Sequence, residues 1–127
     1  MVKKIIIIAL LFYGVRYVWD FGFSPEFQEY ADQHKYPWTC KLDLAIAGVY
    51  MIGSDFDFAT NRMQPILKRC PGTEMSMVAE FRIAECIQKS GRYSEAIKAF
   101  EKFAKKYPNT KIGSKALKRI RYLRTAI

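Results

Sequence analysis

The pattern of apolar and polar positions predicts an all-α chain, because apolar residues recur at helical spacing and no alternating strand pattern appears. Residues 1–23 contain a continuous apolar run. Beyond them, capping residues, prolines and glycines bound six further predicted helices. Ser24, Thr39 and Thr73 are predicted N-caps, and Pro65 predicts a kink inside its helix. The predicted helices are 25–33, 41–52, 56–69, 74–89, 94–107 and a last one that opens at Asn109 or Thr110.

The chain repeats its own pattern at an offset of 37 residues. The segment 55–59 aligns with 92–96, and 69–73 aligns with 106–110. Within this register Ala47 falls on Ala84, and Met63 falls on Phe100. Self-similarity at this period is typical of stacked helical pairs, each of which cannot bury its apolar face alone. Such scaffolds usually bind a partner and rarely catalyse.

The most specific part of the repeat is Gly91–Phe100, where a glycine and an aromatic residue lead into a helix that carries Ala96. This segment resembles the tetratricopeptide repeat, a family with small residues where the two helices of a repeat cross and a proline at the repeat's end. Asp43 and Glu80 depart from the family pattern, which has a large residue early in each first helix. The matching positions are Ile46, Ala47, Tyr50, Ala59, Met63, Ile66 and Pro71 in the first repeat, and Ile83, Ala84, Ile87, Ala96, Phe100, Phe103 and Pro108 in the second.

The resemblance implies a short α-solenoid over residues 39–127, with repeats at about 40–73 and 77–110 and a capping helix at 111–127. In this division 1–23 is a hydrophobic helix and 24–38 a short helix and linker. The segment Phe100–Thr110 is similar to the repeats of two bacterial envelope proteins, the outer-membrane assembly lipoprotein and the periplasmic cell-division coordinator of the Tol–Pal system. It therefore implies a cell-envelope protein, although no cysteine is positioned for lipid attachment.

The first 23 residues have the form of an export signal or a membrane anchor, because Lys3 and Lys4 precede the apolar run. No small-residue cleavage site follows, which favours an uncleaved anchor. The eleven-residue run spans only about 16 Å as a helix, so crossing the ~30 Å hydrocarbon core requires extension to Phe23. The predicted membrane-interface residues are Arg16, Tyr17, Trp19 and Phe21.

The positive-inside rule then predicts an inner-membrane anchor with the repeat domain in the periplasm. Two alternatives are a secreted or periplasmic protein after signal cleavage and a buried, soluble N-terminal helix.

The net charge of +9 over 127 residues is unevenly distributed. Residues 20–60 hold seven acidic and two basic residues, whereas 61–127 hold five acidic and sixteen basic ones. The basic half predicts attraction to anionic lipid, acidic polymer, nucleic acid or an acidic protein surface, and a solvated surface without a specific partner is the alternative. The predicted basic face comprises Lys98, Lys102, Lys105, Lys106, Lys115, Lys118, Arg119, Arg121 and Arg124. The last helix is therefore either a basic amphipathic helix lying on lipid or the cap of the solenoid.

Cys40 and Cys70 fall at the start of the first helix and the end of the second helix of one repeat, which antiparallel packing brings together. A disulfide there would contribute roughly 3 kcal/mol and would require an oxidising compartment. Two unpaired, half-buried thiols are the alternative. Cys86 is predicted to pack as a small apolar residue, and the three cysteines with His34 fit no zinc spacing.

The family pattern implies a concave partner groove formed by the first helices of the repeats. Its candidate residues are Lys41, Met51, Phe81, Glu85, Gln88, Lys89, Lys118 and Tyr122. No catalytic constellation, cofactor motif or metal site is visible, so the chain is predicted not to be an enzyme and to need no cofactor. The predicted function is a membrane-anchored or exported scaffold that binds a protein partner within a larger envelope complex, and the alternative is a basic adaptor for anionic lipid, acidic polymer or nucleic acid.

Overall fold

The computed structural model describes the backbone of residues 1–23 and 25–126 and the side chains of 1–17 and 26–126. The predicted cap Ser24 lies outside the described residues. These residues form seven α-helices and no strand, which confirms the all-α prediction. The helices are α1 (Val2–Phe23), α2 (Pro25–His34), α3 (Pro37–Ile52), α4 (Phe56–Arg69), α5 (Glu74–Lys89), α6 (Tyr93–Lys106) and α7 (Lys111–Ala126).

The chain divides into two compact units, Met1–Thr39 and Cys40–Ile127. In the first unit, Phe27 of α2 is fully buried, and its ring centroid lies 6.0 Å from that of Trp38. Tyr30 also lies 6.0 Å from Trp38, so an aromatic cluster joins α2 to the start of α3.

The helix α1 is apolar around its whole circumference, and its side chains are exposed from Val2 to Tyr17. The four residues Ile5–Ile8, which point in successive directions around the helix, each expose between 52% and 65% of their surface. A helix that is hydrophobic all round is normally buried in a large protein core or in a membrane. Nowhere in the described part of the chain, however, is a helix both long enough and apolar enough to cross a membrane.

The second unit is a stack of helices in which α4 packs on α5, α5 on α6, and α6 on α7. One apolar cluster joins α3, α4 and α5, and a second joins α5, α6 and α7. The small residues predicted to lie where helices cross are all buried, with Ala47 and Ala59 in the first repeat and Ala84 and Ala96 in the second. The helix α5 therefore belongs to both clusters and binds the two repeats into one core.

Threonine caps set the starts of α5 and α7. Thr73 Oγ1 accepts a hydrogen bond from Ser76 N at 3.2 Å, and Thr110 Oγ1 accepts one from Gly113 N at 2.9 Å. The prediction that Thr73 caps its helix is confirmed, and of the two predicted starts for the last helix, Asn109 and Thr110, the cap is Thr110. The predicted start of α3 is wrong, because the helix begins at Pro37 and contains Thr39. Proline suits the first helical position, since its missing N–H needs no partner there.

A buried carboxylate joins the first two helices of the second unit. Asp43 on α3 is fully buried and forms ion pairs with two arginines of α4: Oδ2 accepts a hydrogen bond from Arg69 Nη1 at 2.6 Å, and Oδ1 lies 2.6 Å from Arg62 Nε. Burial lowers the pKa of Arg62, and the neighbouring Asp43 carboxylate opposes that effect. The position where the family has a large residue is therefore occupied here by an ion-paired acid.

The structure also brings Cys40 and Cys70 together, with their sulfur atoms 2.01 Å apart and their Cα atoms 6.8 Å apart. The link connects the first turns of α3 with the residue that follows α4. Cys86 is a buried free thiol, and desolvation raises its pKa.

Candidate partner-binding groove

A cleft of about 210 Å³ opens between α5 and α7, the first helices of successive helical pairs. Its lining combines apolar and charged side chains: Val78, Phe81, Arg82, Glu85, Ile112 and Lys115. Two of these, Phe81 and Glu85, are residues that the sequence placed in the partner groove. The cleft therefore overlaps the predicted groove at these two residues.

The seam beneath this cleft is held by Arg119 of α7. Its Nη2 lies 3.1 Å from Glu85 Oε2, and its Nη1 donates to Gln88 Oε1 at 3.2 Å. The guanidinium carbon also lies 5.9 Å from the centroid of the Phe81 ring, within cation–π range. Three predicted groove residues, Phe81, Glu85 and Gln88, thus contact Arg119, and these contacts hold α7 to α5.

Two of the predicted groove residues belong mainly to the core. Phe81 is 8% exposed, and its ring centroid lies 5.5 Å from that of Phe100 and 5.6 Å from that of Phe103. Met51 is half-buried against the apolar cluster that joins α3, α4 and α5. Packing between helices therefore takes up much of both side chains, although Phe81 also lines the cleft, and their contact with a partner stays a prediction.

The remaining predicted residues are exposed. Lys41 is exposed on α3, Lys89 at the end of α5, and Lys118 on α7. Tyr122, one helical turn after Lys118, exposes 63% of its surface. These four side chains are free to contact a partner.

The predicted groove missed four of the six residues that line the cleft, and Arg82 is one of them; the others are Val78, Ile112 and Lys115. A Cβ atom built on Gly48 of α3 would lie 3.8 Å from Arg82 Nη1, so the guanidinium reaches from α5 across to α3. In the register of 37 residues Arg82 aligns with Ala45 and Arg119, neither of which was a groove candidate, so the sequence did not mark it. Small residues on α3 leave room for this long side chain.

The nine residues of the predicted basic face lie on more than one surface. Lys102 and Lys106 line a cleft between α4 and α6, whereas Lys105 and Arg124 line another between α6 and α7. Lys115 lines the groove between α5 and α7. Three of the nine also have partners within the fold, as Lys106 pairs with Glu80, Arg119 with Glu85 and Arg124 with Glu101. Lys98, Lys102, Lys105, Lys115, Lys118 and Arg121 are exposed.

The helix α7 is the last helix of the described stack. Its apolar residues Ala116, Ile120 and Leu123 are buried in the cluster with α5 and α6, so this stripe is not available to lie on lipid. On the opposite side, Arg121 stands where the preceding repeat has Ala84, while Arg124, which stands where that repeat has Ile87, pairs with Glu101 of α6. Charged residues at positions that would otherwise bury a further helix are typical of a terminal cap.

Of the predicted membrane-interface residues, Arg16 and Tyr17 are exposed. The side chains of Trp19 and Phe21 lie outside the described residues. Within the described side chains, no group of three or more His, Cys, Asp or Glu residues is arranged to hold a metal ion.

The helices α5 and α6 form an antiparallel pair with alanines at their crossing and a proline after the second helix. The same arrangement occurs 37 residues earlier, in α3 and α4. Together these features indicate a helical repeat. Residues 78–110 match the tetratricopeptide repeat. The match begins in α5 and ends at the cap of α7, so it spans the second predicted repeat. No curated protein matches the chain.

The predicted fold class is confirmed: the described helices form an all-α, tetratricopeptide-repeat-like solenoid that contains the matching residues 78–110, and an apolar helix precedes it in the chain. Tetratricopeptide repeats are in general scaffolds that present an extended concave surface to protein partners.

Proposed function

We propose that this protein is a scaffold that binds a protein partner along the face formed by α3, α5 and α7. The observation that carries the proposal is the open cleft between α5 and α7, whose α5 wall lies within residues 78–110, the part of the chain that matches the tetratricopeptide repeat. The cleft offers apolar contacts from Val78 and Ile112 beside charged groups from Arg82 and Lys115. This mixture suits a polypeptide, which carries both kinds of side chain.

We further propose that α1 attaches the scaffold to a membrane, and that the repeat domain works in the periplasm of a bacterial cell envelope as an accessory or assembly subunit. The exposure of apolar side chains all around α1 supports the attachment, because such a surface is unstable in water. The Cys40–Cys70 pair supports an oxidising compartment. The similarity of Phe100–Thr110 to repeats of envelope proteins supports the same location.

Site-specific photocrosslinking tests the scaffold function. A photoreactive amino acid replaces Tyr122 in one variant, Lys118 in a second and Lys98 in a control variant, each expressed in native cells. Tyr122 and Lys118 are exposed on α7 beside the groove, whereas Lys98 is exposed on α6. The proposal expects the same protein adduct from both α7 positions and none from Lys98. Adducts of equal yield at all three positions, or adducts to nucleic acid or lipid alone, would contradict it.

Membrane attachment is tested separately by fractionation and N-terminal sequencing of the native protein. The proposal expects the intact chain in the membrane fraction after an alkaline carbonate wash. Replacing Ile6 and Leu10 by aspartate should release it, whereas replacing them by valine should not. A mature N-terminus beyond Phe23 would refute attachment through α1 and would favour export with signal cleavage.

A further inference from the structure

We infer that the groove formed by α3, α5 and α7 recognises an acidic segment of its protein partner, and that Arg82 and Lys115 are the residues that select it. This inference rests on the proposed scaffold function and names the chemistry of the ligand. Carboxylate side chains would engage Arg82 and Lys115, while apolar neighbours in the same segment would pack on Val78 and Ile112.

The charge on this face is the first support. Each of its three helices contributes cations that make no ion pair among the described residues: Lys41, Arg82, Lys89, Lys115 and Lys118. The carboxylates on this side of α5 are fewer. Glu74 is exposed at the start of the helix, and Glu85 is bound by Arg119. The face is therefore positive by several charges, and a cleft with apolar walls strengthens the field of those charges.

The placement of Arg82 is the second support. Its guanidinium lies at the junction of α3 and α5, above the smallest residue of α3, Gly48. The planar guanidinium presents several N–H donors in a fixed fork, a geometry that matches a carboxylate. Lys115 lines the same cleft from α7, so a carboxylate entering between the helices would meet a cation from each side.

The third support distinguishes an acidic protein from other polyanions. Arg82 and Lys115 share their cleft with Val78, Phe81 and Ile112, and apolar walls give no advantage to a phosphate backbone. The ring of Phe81 is packed against Phe100, so it offers no free face on which a base could stack. A peptide segment that carries both carboxylates and aliphatic side chains can contact the cations and the apolar residues of the cleft at once.

The test uses the full chain in a neutral detergent and fluorescence anisotropy with a short labelled peptide of alternating Glu and Leu. The groove variant combines R82E with K115E. The matched control combines K98E with K105E, which changes the net charge equally at exposed positions of α6. We expect the groove variant to weaken binding by about tenfold or more, because it removes charge-assisted hydrogen bonds, whereas the control changes it by less than about twofold.

Further probes show which class of anionic ligand the groove recognises. A peptide with Gln in place of Glu should bind at least about tenfold more weakly than the acidic peptide. A single-stranded oligonucleotide and vesicles that contain an anionic phospholipid should bind the groove variant and the control alike. Equal losses of peptide affinity in the two charge-reversed variants would overturn the inference, as would an oligonucleotide whose binding depends on Arg82 and Lys115 more than the peptide's does.

Two safeguards keep these outcomes interpretable. Circular dichroism should show the same helix content and unfolding midpoint for both variants, and the milder pair R82Q with K115Q replaces the groove variant if it does not. The crosslinked native partner supplies the second safeguard. If that partner binds R82E/K115E as tightly as the wild type, the result contradicts recognition of an acidic segment but not the scaffold function.

Discussion

Arg69 donates a hydrogen bond from Nη1 to Oδ2 of Asp43 at 2.6 Å, and both side chains are buried. The pair joins the early part of α3 to the end of α4. Thirty-seven residues further along both helices, Glu80 and Lys106 form the corresponding pair between α5 and α6, but there the lysine is exposed. The two repeats therefore contain the same acid–base contact at different depths, and the energetic consequences differ.

Replacing Asp43 by Asn should lower the free energy of unfolding by about 3 to 5 kcal/mol, because it leaves Arg62 and Arg69 buried without their counter-charge. The matched control is E80Q, which removes the exposed pair with Lys106 and should cost no more than about 1 kcal/mol. Urea unfolding followed by circular dichroism measures both. If the two variants lost similar amounts of unfolding free energy, burial of the Asp43 pair would not add to the stability of the protein.

Removing the Cys40–Cys70 link should destabilise the protein by about 3 to 4 kcal/mol, because the bond closes a long loop and restricts the unfolded chain. The double variant C40S/C70S and the reduced wild type should unfold at the same lower urea concentration. Alkylation of the unfolded, unreduced protein should modify one thiol, and alkylation after reduction should modify three. Three reactive thiols without reduction would show that the link does not form.

The thiol of Cys86 should react slowly in the folded protein. It is buried, and desolvation raises its pKa, so less of the reactive thiolate is present at a given pH than for an ordinary cysteine. The rate of reaction with a disulfide reagent should keep rising with pH beyond the range where an exposed thiol levels off, and urea should accelerate it. A native rate equal to that of a cysteine in a short peptide would contradict the burial of this residue.

Two helical glycines should respond to alanine in opposite ways. A Cβ atom at Gly113 would overlap the carbonyl oxygen of Tyr107, so G113A should cost about 1 to 3 kcal/mol despite the higher helix propensity of alanine. At Gly48 the nearest atom is Arg82 Nη1 at 3.8 Å, an ordinary contact. G48A should therefore be neutral or stabilising by up to about 1 kcal/mol. Thermal unfolding of the two variants checks the difference in sign.

Local signals in the sequence predicted most of the fold. The predicted bounds of α4 and α5 agree with the observed ones. A capping residue precedes each of these helices, and glycine or proline follows it. The start of α3 was misjudged because Thr39 and Pro37 both qualify as helix-start residues, and local sequence does not rank them. Tertiary packing decides in favour of Pro37, and Thr39 is fully buried inside the helix.

The candidate groove was less predictable, because its chemistry depends on contacts between distant residues. Glu85 and Gln88 were expected to face a partner, yet Arg119, more than 30 residues later, engages both. Arg82 was missed since nothing in its immediate neighbours marks it. Only the closeness of α3 and α5 shows that its guanidinium reaches Gly48. Side-chain partners across helices follow from the fold and not from local pattern.

The number of first helices limits the length of the segment that the proposed groove can bind. The described residues supply three of them, α3, α5 and α7. Neighbouring helix axes lie about 10 Å apart, so the face measures roughly 20 Å across. An extended chain advances about 3.3 Å per residue, which limits a bound segment to about six residues. A partner would thus be recognised through a short linear motif, whose few side chains must supply all the selectivity.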